Sequence, residues 1–379
     1  MINMRAAILY EQGLPAPYEQ SRPLRIEEVQ LNAPGEGEVM IEVAAAGLCH
    51  SDLSTIEGLR PRKVPTVMGH EAAGIVREVG PGVRRLKADD HVVAVFVASC
   101  GHCRYCASGR PNLCTASWTA RAEGTLLSGT RKLSCCGKDI HHYTGLSTFA
   151  EYAVVSENSL VAIDRNVPLE VAALFGCAVV TGVGAVMNTG HVRPGESAAV
   201  VGLGGVGLSA LIGLVASGAH PIVAVDLSPE KLALASSLGA TFGVIAGRAT
   251  TVQEVRDLTR GGVDFAFEMA GSVQAMEAAY ALTARGGTTI SAGLPDPRKT
   301  VAYAHAPMVS DERTIKGSYM GSCVPQRDIP RYMDLYLAGR LPVDRLRSGD
   351  VSFDTLNRGF DLLAAGKVAR QTLRPKLAA

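Results

Sequence analysis

Net charge is the first thing this sequence lacks. Its 37 basic residues stand against 36 acidic ones, a balance of +1 at neutral pH, so there is no electrostatic case for a nucleic-acid partner. A long apolar run at the N-terminus is also missing. MINMRAAILYEQG offers only Ala6–Leu9, too short for the core of a secretory signal. The expectation is therefore a cytoplasmic protein, in which thiols stay reduced and clustered cysteines more often hold metal than disulfides. There is no internal repeat and no low-complexity tract. Between Ala198 and Val225 every Asp, Glu, Lys and Arg is absent, and by length alone that stretch reads as a membrane helix. Six glycines and Pro221 interrupt it, however. A buried strand, a glycine turn, a packed helix and a second buried strand account for it better, since parallel strands covered on both faces are near-continuously apolar. No membrane partner is expected.

What is present is enough chain for two domains: 379 residues, 47% of them hydrophobic. Up to about residue 175 the pattern is β-rich, with short apolar runs such as VMIEVAAAGL and GIVREV between Gly and Pro turns. From Ser197 six candidate strands, AAVVG, IVAVD, FGVIA, VDFAFEM, TTISAG and TIKGSY, alternate with helices such as SPEKLALASSLG and SVQAMEAAYALTA. That alternation predicts a doubly wound parallel sheet. Ser228 and Pro229 supply an N-cap and first-turn proline, and Gly239 a C-cap, for one of the helices. After about Met320 the character is mixed again, with FDTLNRGFDLLAAGK reading as an amphipathic helix.

GLGGVG, from Gly202 to Gly207, follows the first of these strands and opens a helix, and Asp226 stands nineteen residues beyond its last glycine. Gly202 permits the tight turn, Gly204 lets backbone approach a pyrophosphate, and Gly207 allows close helix packing. The helix N-terminus then presents free N–H groups to the phosphates. Asp226, at the tip of the second strand, suits the adenine ribose hydroxyls and repels a 2′-phosphate, which favours NAD over NADP.

Cys100, Cys103, Cys106 and Cys114 form C-x2-C-x2-C-x7-C. Four thiolates satisfy tetrahedral zinc and leave no position for substrate, so this is a structural site that orders a loop poor in hydrophobic residues. An iron–sulfur cluster is the alternative, although the common cluster motifs have other intervals. Catalysis needs a second, open site. Cys49 in GLCHSD, His70 and Glu71 in MGHEAAG, and Cys177 in FGCAVVTG are candidates scattered over 128 residues. Singly each has a bland reading as a buried apolar thiol or a core histidine. Together Cys49, His70 and Cys177 give two thiolates and an imidazole, one of the catalytic zinc sets, with the fourth position left for an oxygen ligand.

GLCHSD, GHEAAGIVREVG, the four-cysteine lobe, FGCAVVTGVGAV and GLGGVG occur in the order and spacing of the zinc-dependent medium-chain alcohol dehydrogenases, and FEMAG, TIKGSYMG and FDLLAAGK extend the resemblance nearly end to end. The resemblance implies an α/β protein: a GroES-like β-rich catalytic domain at 1–178, with the structural-zinc lobe at 98–116, a Rossmann NAD-binding domain at 179–320, and a return to the catalytic domain at 321–379. It also implies two zinc ions per chain, NAD, a small alcohol or aldehyde as substrate, and a homodimer through the Rossmann sheet edge or a homotetramer. Asp52 resembles the carboxylate that orients His70, Glu71 the near-metal acid that exchanges as a transient ligand, and Ser51 the hydroxyl that takes the alcohol proton. In many relatives that relay continues to a histidine three residues on, where this chain has Ser54. His50 and Arg370 match phosphate contacts and Lys231 a ribose contact. Thr181, Gly205 and Val206 join the glycines at the cofactor, while Phe96 and Trp118 line the substrate channel.

The activity implied is reversible hydride transfer between a primary alcohol, aromatic or medium-chain, and NAD. The alternative within the superfamily is S-(hydroxymethyl)glutathione, or formaldehyde, dehydrogenase. That branch uses an arginine and an aspartate to hold its anionic conjugate, and those places here carry Trp118 and Arg60. A non-catalytic binding module would be expected to lose ligands or the glycine fingerprint, and all are intact. Cys135, Cys136 and Cys323 stay unassigned as buried thiols or surface accidents, and His141 and His142 read as loop packing.

Overall fold

The six apolar segments beyond Ser197 become one parallel sheet in the computed structural model of the protein, which describes residues 1–376. Its strands are β1 (Ala198–Val201), β2 (Ile222–Asp226), β3 (Phe242–Ile245), β4 (Val263–Glu268), β5 (Thr283–Ser291) and β6 (Thr314–Gly317), in the order β3-β2-β1-β4-β5-β6. The order reverses between β1 and β4, the switch point at which doubly wound sheets open a crevice at their carboxyl ends. β1 and β2 are wholly buried, and apart from Asp226 at the end of β2 both consist of apolar residues, as burial on both faces requires. Ser228 caps the helix Pro229–Ser237 by accepting from the Lys231 N–H, and Gly239 follows at φ +110°. The charge-free stretch is thus two strands and the helix Gly205–Ser217. Among the described residues no single helix is long and apolar enough to cross a membrane.

This sheet belongs to the second of two units, Ala178–Cys323 with Ala338–Pro342; the first comprises Met1–Cys177, Val324–Leu337 and the tail from Val343. Residues 338–342, grouped with the tail in the sequence reading, pack with the second unit. In the first unit Ile2–Leu9, Leu24–Leu31, Thr66–Val67, Leu133–Cys135 and Lys138–His142 close a small barrel. Beside it lies a seven-stranded sheet with Glu38–Gly47 and Glu71–Val79 paired antiparallel near its middle. The tail strand Arg370–Leu373 joins the same sheet, placing Thr372 opposite Gly47. The amphipathic segment becomes the helix Leu356–Ala364, whose Leu356, Phe360 and Leu363 enter the main core with Leu53, Met68 and Phe149.

Candidate metal and cofactor sites

Cys49 ends an extended segment and N-caps the helix His50–Ile56. Its thiol accepts from the Asp52 N–H while the Asp52 carboxylate accepts, through Oδ2, from the Cys49 N–H at 3.2 Å. The other oxygen, Oδ1, lies 2.8 Å from His70 Nδ1. One buried carboxylate therefore fixes the backbone of one candidate ligand and the ring of another. His70 follows Gly69, whose φ of +94° and lack of a Cβ are both needed, since a Cβ there would lie 2.5 Å from the Phe149 nitrogen. Cys177 follows Gly176, where a Cβ would meet the Ala94 carbonyl oxygen at 2.5 Å.

The donor atoms of Cys49, His70, Glu71 and Cys177 all lie within 4.8 Å of one another, and all four residues are buried. His70 Nε2 and Glu71 Oε2 are buried without a hydrogen-bond partner. Orphaned buried acceptors are rare in native proteins and call for an unshown partner. The two sulfurs point the same way. The Cys177 thiol holds Cys49 well below its ordinary pKa, and Cys49, with burial, pushes Cys177 well above its own. Two sulfurs so close and so dry share one proton; a divalent cation lets both ionise. The donor set fits a metal ion.

Glu71 is held from behind by Arg370, which donates through Nη2 to Oε1 across 299 positions of sequence. Gly47 makes the room, because a Cβ there would lie 2.7 Å from the Glu71 carboxyl carbon and 2.8 Å from Arg370 Nη2. Burial pushes the Glu71 carboxyl up to about 7, against the pull of Arg370. Arg370, expected at a cofactor phosphate, is 3% exposed and engaged by this carboxylate, with Nε left unpartnered.

The other four cysteines also converge. Cys100, Cys103, Cys106 and Cys114 bring their sulfurs within 4.8 Å of one another, with Cys103 and Cys106 at 3.6 Å. A disulfide would need about 2.05 Å. Two sulfurs on a tetrahedral ion with bonds of 2.3 Å sit about 3.8 Å apart. The spacing is that of ligands, not of a bond. Backbone N–H groups approach the sulfurs as well, Cys100 to Cys114 Sγ and Cys103 to Cys100 Sγ, each at 3.3 Å. Amides of Cys106 and Thr115 hold the Cys103 thiol down to about 6, whereas burial pushes Cys106 up to about 12.

In the second unit the glycine loop has the shape its sequence requires. Gly202 adopts φ +93°, a Cβ on Gly207 would sit 1.8 Å from the Gly202 oxygen, and the Cβ position of Gly204 faces open space. Gly205 and Val206 begin the helix. Asp226 accepts from the Leu203 N–H at 2.6 Å and from the Ser228 N–H at 3.0 Å, so the acid also shapes the loop.

With this geometry the comparisons with known proteins agree. Residues 35–165 match the alcohol dehydrogenase GroES-like domain, and residues 205–338 the zinc-binding dehydrogenase domain. "Putative alcohol dehydrogenase D" of Mycobacterium tuberculosis is 41% identical over 96% of this chain and 98% of its own. The chain belongs to the zinc-dependent medium-chain alcohol dehydrogenases. Within that family, an alcohol dehydrogenase zinc-binding domain protein from Burkholderia ambifaria superposes with a TM-score of 0.93 at 34% identity, covering 99% of this chain and 100% of the other. Benzyl alcohol dehydrogenase from Acinetobacter calcoaceticus gives 0.92 at 30%, covering 99% of each.

The surroundings of His70 hold one residue that the sequence had placed at the channel, Phe96, and one that sequence reasoning missed, Tyr143. Phe96 stands edge-on to the His70 ring at 5.5 Å, and Tyr143 does the same at 6.0 Å. The Tyr143 hydroxyl donates to the Ser51 carbonyl at 3.1 Å and pairs with Thr55 Oγ1 at 3.0 Å, tying it to the helix that carries Ser51. A cavity beside Phe96 is lined by Ser117, Arg121, Thr125 and Thr144. Trp118, expected at the channel, is 65% exposed, and the residue one helical turn on, Arg121, turns inward instead. The Arg121 guanidinium lies 5.6 Å from the Phe96 ring and 5.5 Å from that of Trp118. A helix puts positions three and four apart on one face, and here Ser117, Ala120 and Arg121 form the face that lines the cavity.

Proposed function

We propose that the protein is an NAD-dependent alcohol dehydrogenase of primary alcohols, aromatic or medium-chain, with one zinc ion at Cys49, His70 and Cys177 and a second at Cys100, Cys103, Cys106 and Cys114. The observation that carries this reading is the buried donor set with two orphaned acceptors, flanked by the rings of Phe96 and Tyr143. Zinc, when bound, would supply the Lewis acid that makes an alcohol oxygen acidic near neutral pH, and NAD would supply the hydride acceptor. Asp52 keeps the His70 ring turned so that Nε2 faces the metal. Arg370 keeps Glu71 beside the set as a reserve oxygen ligand, and its unpartnered Nε suits a cofactor phosphate. Ser51 takes the alcohol proton. Ser54, a hydroxyl where many relatives have histidine, does not bind protons near neutral pH, so the last step uses water or another base.

His50, Thr181 and Lys231 complete the cofactor contacts around Gly202, Gly204, Gly205, Val206 and Gly207. Asp226 selects NAD by repelling a third phosphate. Apolar rings beside His70 favour a benzylic or medium-chain alcohol, and the likeness to a protein described as benzyl alcohol dehydrogenase supports the same class. A substrate panel with NAD and NADP, read by absorbance of the reduced nicotinamide, tests both choices. The expected result is higher kcat/KM for benzylic or medium-chain alcohols than for S-(hydroxymethyl)glutathione, and NAD preferred over NADP. Efficient glutathione-dependent formaldehyde oxidation would replace this reading with the formaldehyde branch. Asp226→Gly should raise KM for NAD and admit NADP; equal use of both by the unmutated protein would remove Asp226 as the discriminator.

A further inference from the structure

Three cysteines belong to neither donor set, and two of them, Cys135 and Cys136, are neighbours in the chain. Cys135 ends the strand Leu133–Cys135, pairs with Lys138 of the next strand, and leaves Cys136 and Gly137 as a two-residue turn. Both turn residues have positive φ, +51° and +75°. Such primed turns match the twist of a hairpin, and glycine, asparagine or aspartate usually occupies them. Cys136 carries a Cβ into the left-handed region instead, a conformation that costs about 1 kcal/mol or more. The consequence is chemical. Neighbours on a strand point to opposite faces, but the turn swings the Cys136 side chain back, and the two sulfurs lie 3.8 Å apart.

That separation excludes a disulfide, which needs about 2.05 Å, and is a thiol–thiol contact close enough for a single atom to bridge both sulfurs. Within this chain it resembles the 3.6 Å between Cys103 and Cys106. Cys136 is exposed, so a ligand can enter; Cys135 is half-buried against the barrel core, so one arm of the pair is fixed. Glu27 Oε2 is 3.7 Å from Cys135 Sγ but already accepts from the Tyr10 hydroxyl at 2.7 Å. Among the described residues no third His, Cys, Asp or Glu donor completes a set here. Two protein donors fall short of the four that zinc takes. They suit a soft centre that brings its own third substituent.

We propose that Cys135 and Cys136 form a bidentate thiol site for a soft, thiophilic centre of the monosubstituted trivalent arsenic class. In the step, both S–H bonds break, two As–S bonds form, and the oxygen of R–As=O leaves as water with both protons; arsenic stays trivalent and no oxidant is consumed. A bridging arsenic closes a nine-membered ring, one atom larger than the ring of a vicinal disulfide. That extra atom removes the need to draw the sulfurs into bonding distance.

The test uses the zinc-loaded full chain with one equivalent of phenylarsine oxide, followed by native mass spectrometry. One phenylarsenic group should be gained per chain with the zinc content unchanged, and 2,3-dimercaptopropanol should remove it where a monothiol in similar excess does not. Cys135→Ser and Cys136→Asn should each weaken uptake by about 100-fold, the advantage of a second tethered ligand. Asparagine suits the left-handed turn position, so Cys136→Asn keeps the hairpin. An undiminished adduct in Cys136→Asn, an adduct that forms only as zinc is released, or no adduct at all would each overturn the proposal.

Discussion

The two candidate metal sites have four donors each and are built in opposite ways. Cys100, Cys103, Cys106 and Cys114 come from one short stretch, three of them are partly exposed, and none of residues 100–114 belongs to the main core. Cys49, the adjacent His70 and Glu71, and Cys177 come from three segments far apart in sequence and are all buried, and Leu48, Leu53, Met68 and Ala72 beside them belong to the main core. On the proposed reading, metal in the lobe would stand in for a core that the sequence does not supply. At the other site the core exists without it, so the donors are free to serve chemistry.

Removing a lobe ligand should give the largest change in stability. Structural zinc contributes on the order of 10 kcal/mol to small zinc folds. Cys103→Ser should therefore release one zinc per chain, expose residues 98–116 to limited proteolysis and lower Tm. An unchanged Tm with intact proteolytic resistance would break the contrast.

Cys49→Ser should do the reverse. The Lewis acid contributes several kcal/mol to such reactions, so turnover should fall by about three decades or more at 1.36 kcal/mol per decade. The far-UV circular dichroism spectrum and the lobe zinc should stay as they were. A loss of fold comparable to that of Cys103→Ser would show that the buried site is also structural.

A smaller effect sharpens the comparison within the buried site. Asp52→Asn keeps an oxygen for the Cys49 N–H but removes the charge against His70. Loss of such an orienting group typically costs 10–100-fold in metal affinity. A competition titration with a zinc chelator should show that loss at one zinc only, and an equal loss at both would assign Asp52 a global role.

The same contrast explains what could be read from the sequence. The lobe was legible because its spacing is local, and β1 to β6 were legible because buried parallel strands leave long apolar runs. The link between Glu71 and Arg370 was not, because it joins residues 299 apart through a tail strand whose register only the folded sheet sets. Tyr143 escaped notice for a related reason: its hydroxyl serves a helix 92 residues earlier, and nothing in HHYTG signals it. Arg121 escaped notice because the eye follows the large ring of Trp118, whereas the cavity is lined by the helix face of Ser117, Ala120 and Arg121. Cys136 looked like a surface accident until its positive φ placed it against Cys135.

The central claim is that one zinc holds the lobe and another, independent of it, does the chemistry. Native mass spectrometry of the unmutated protein beside Cys49→Ser tests it most directly. The expected masses correspond to two zinc ions per chain in the first and one in the second. A single zinc in the unmutated protein, or loss of both in Cys49→Ser, would contradict the division of labour between the two sites.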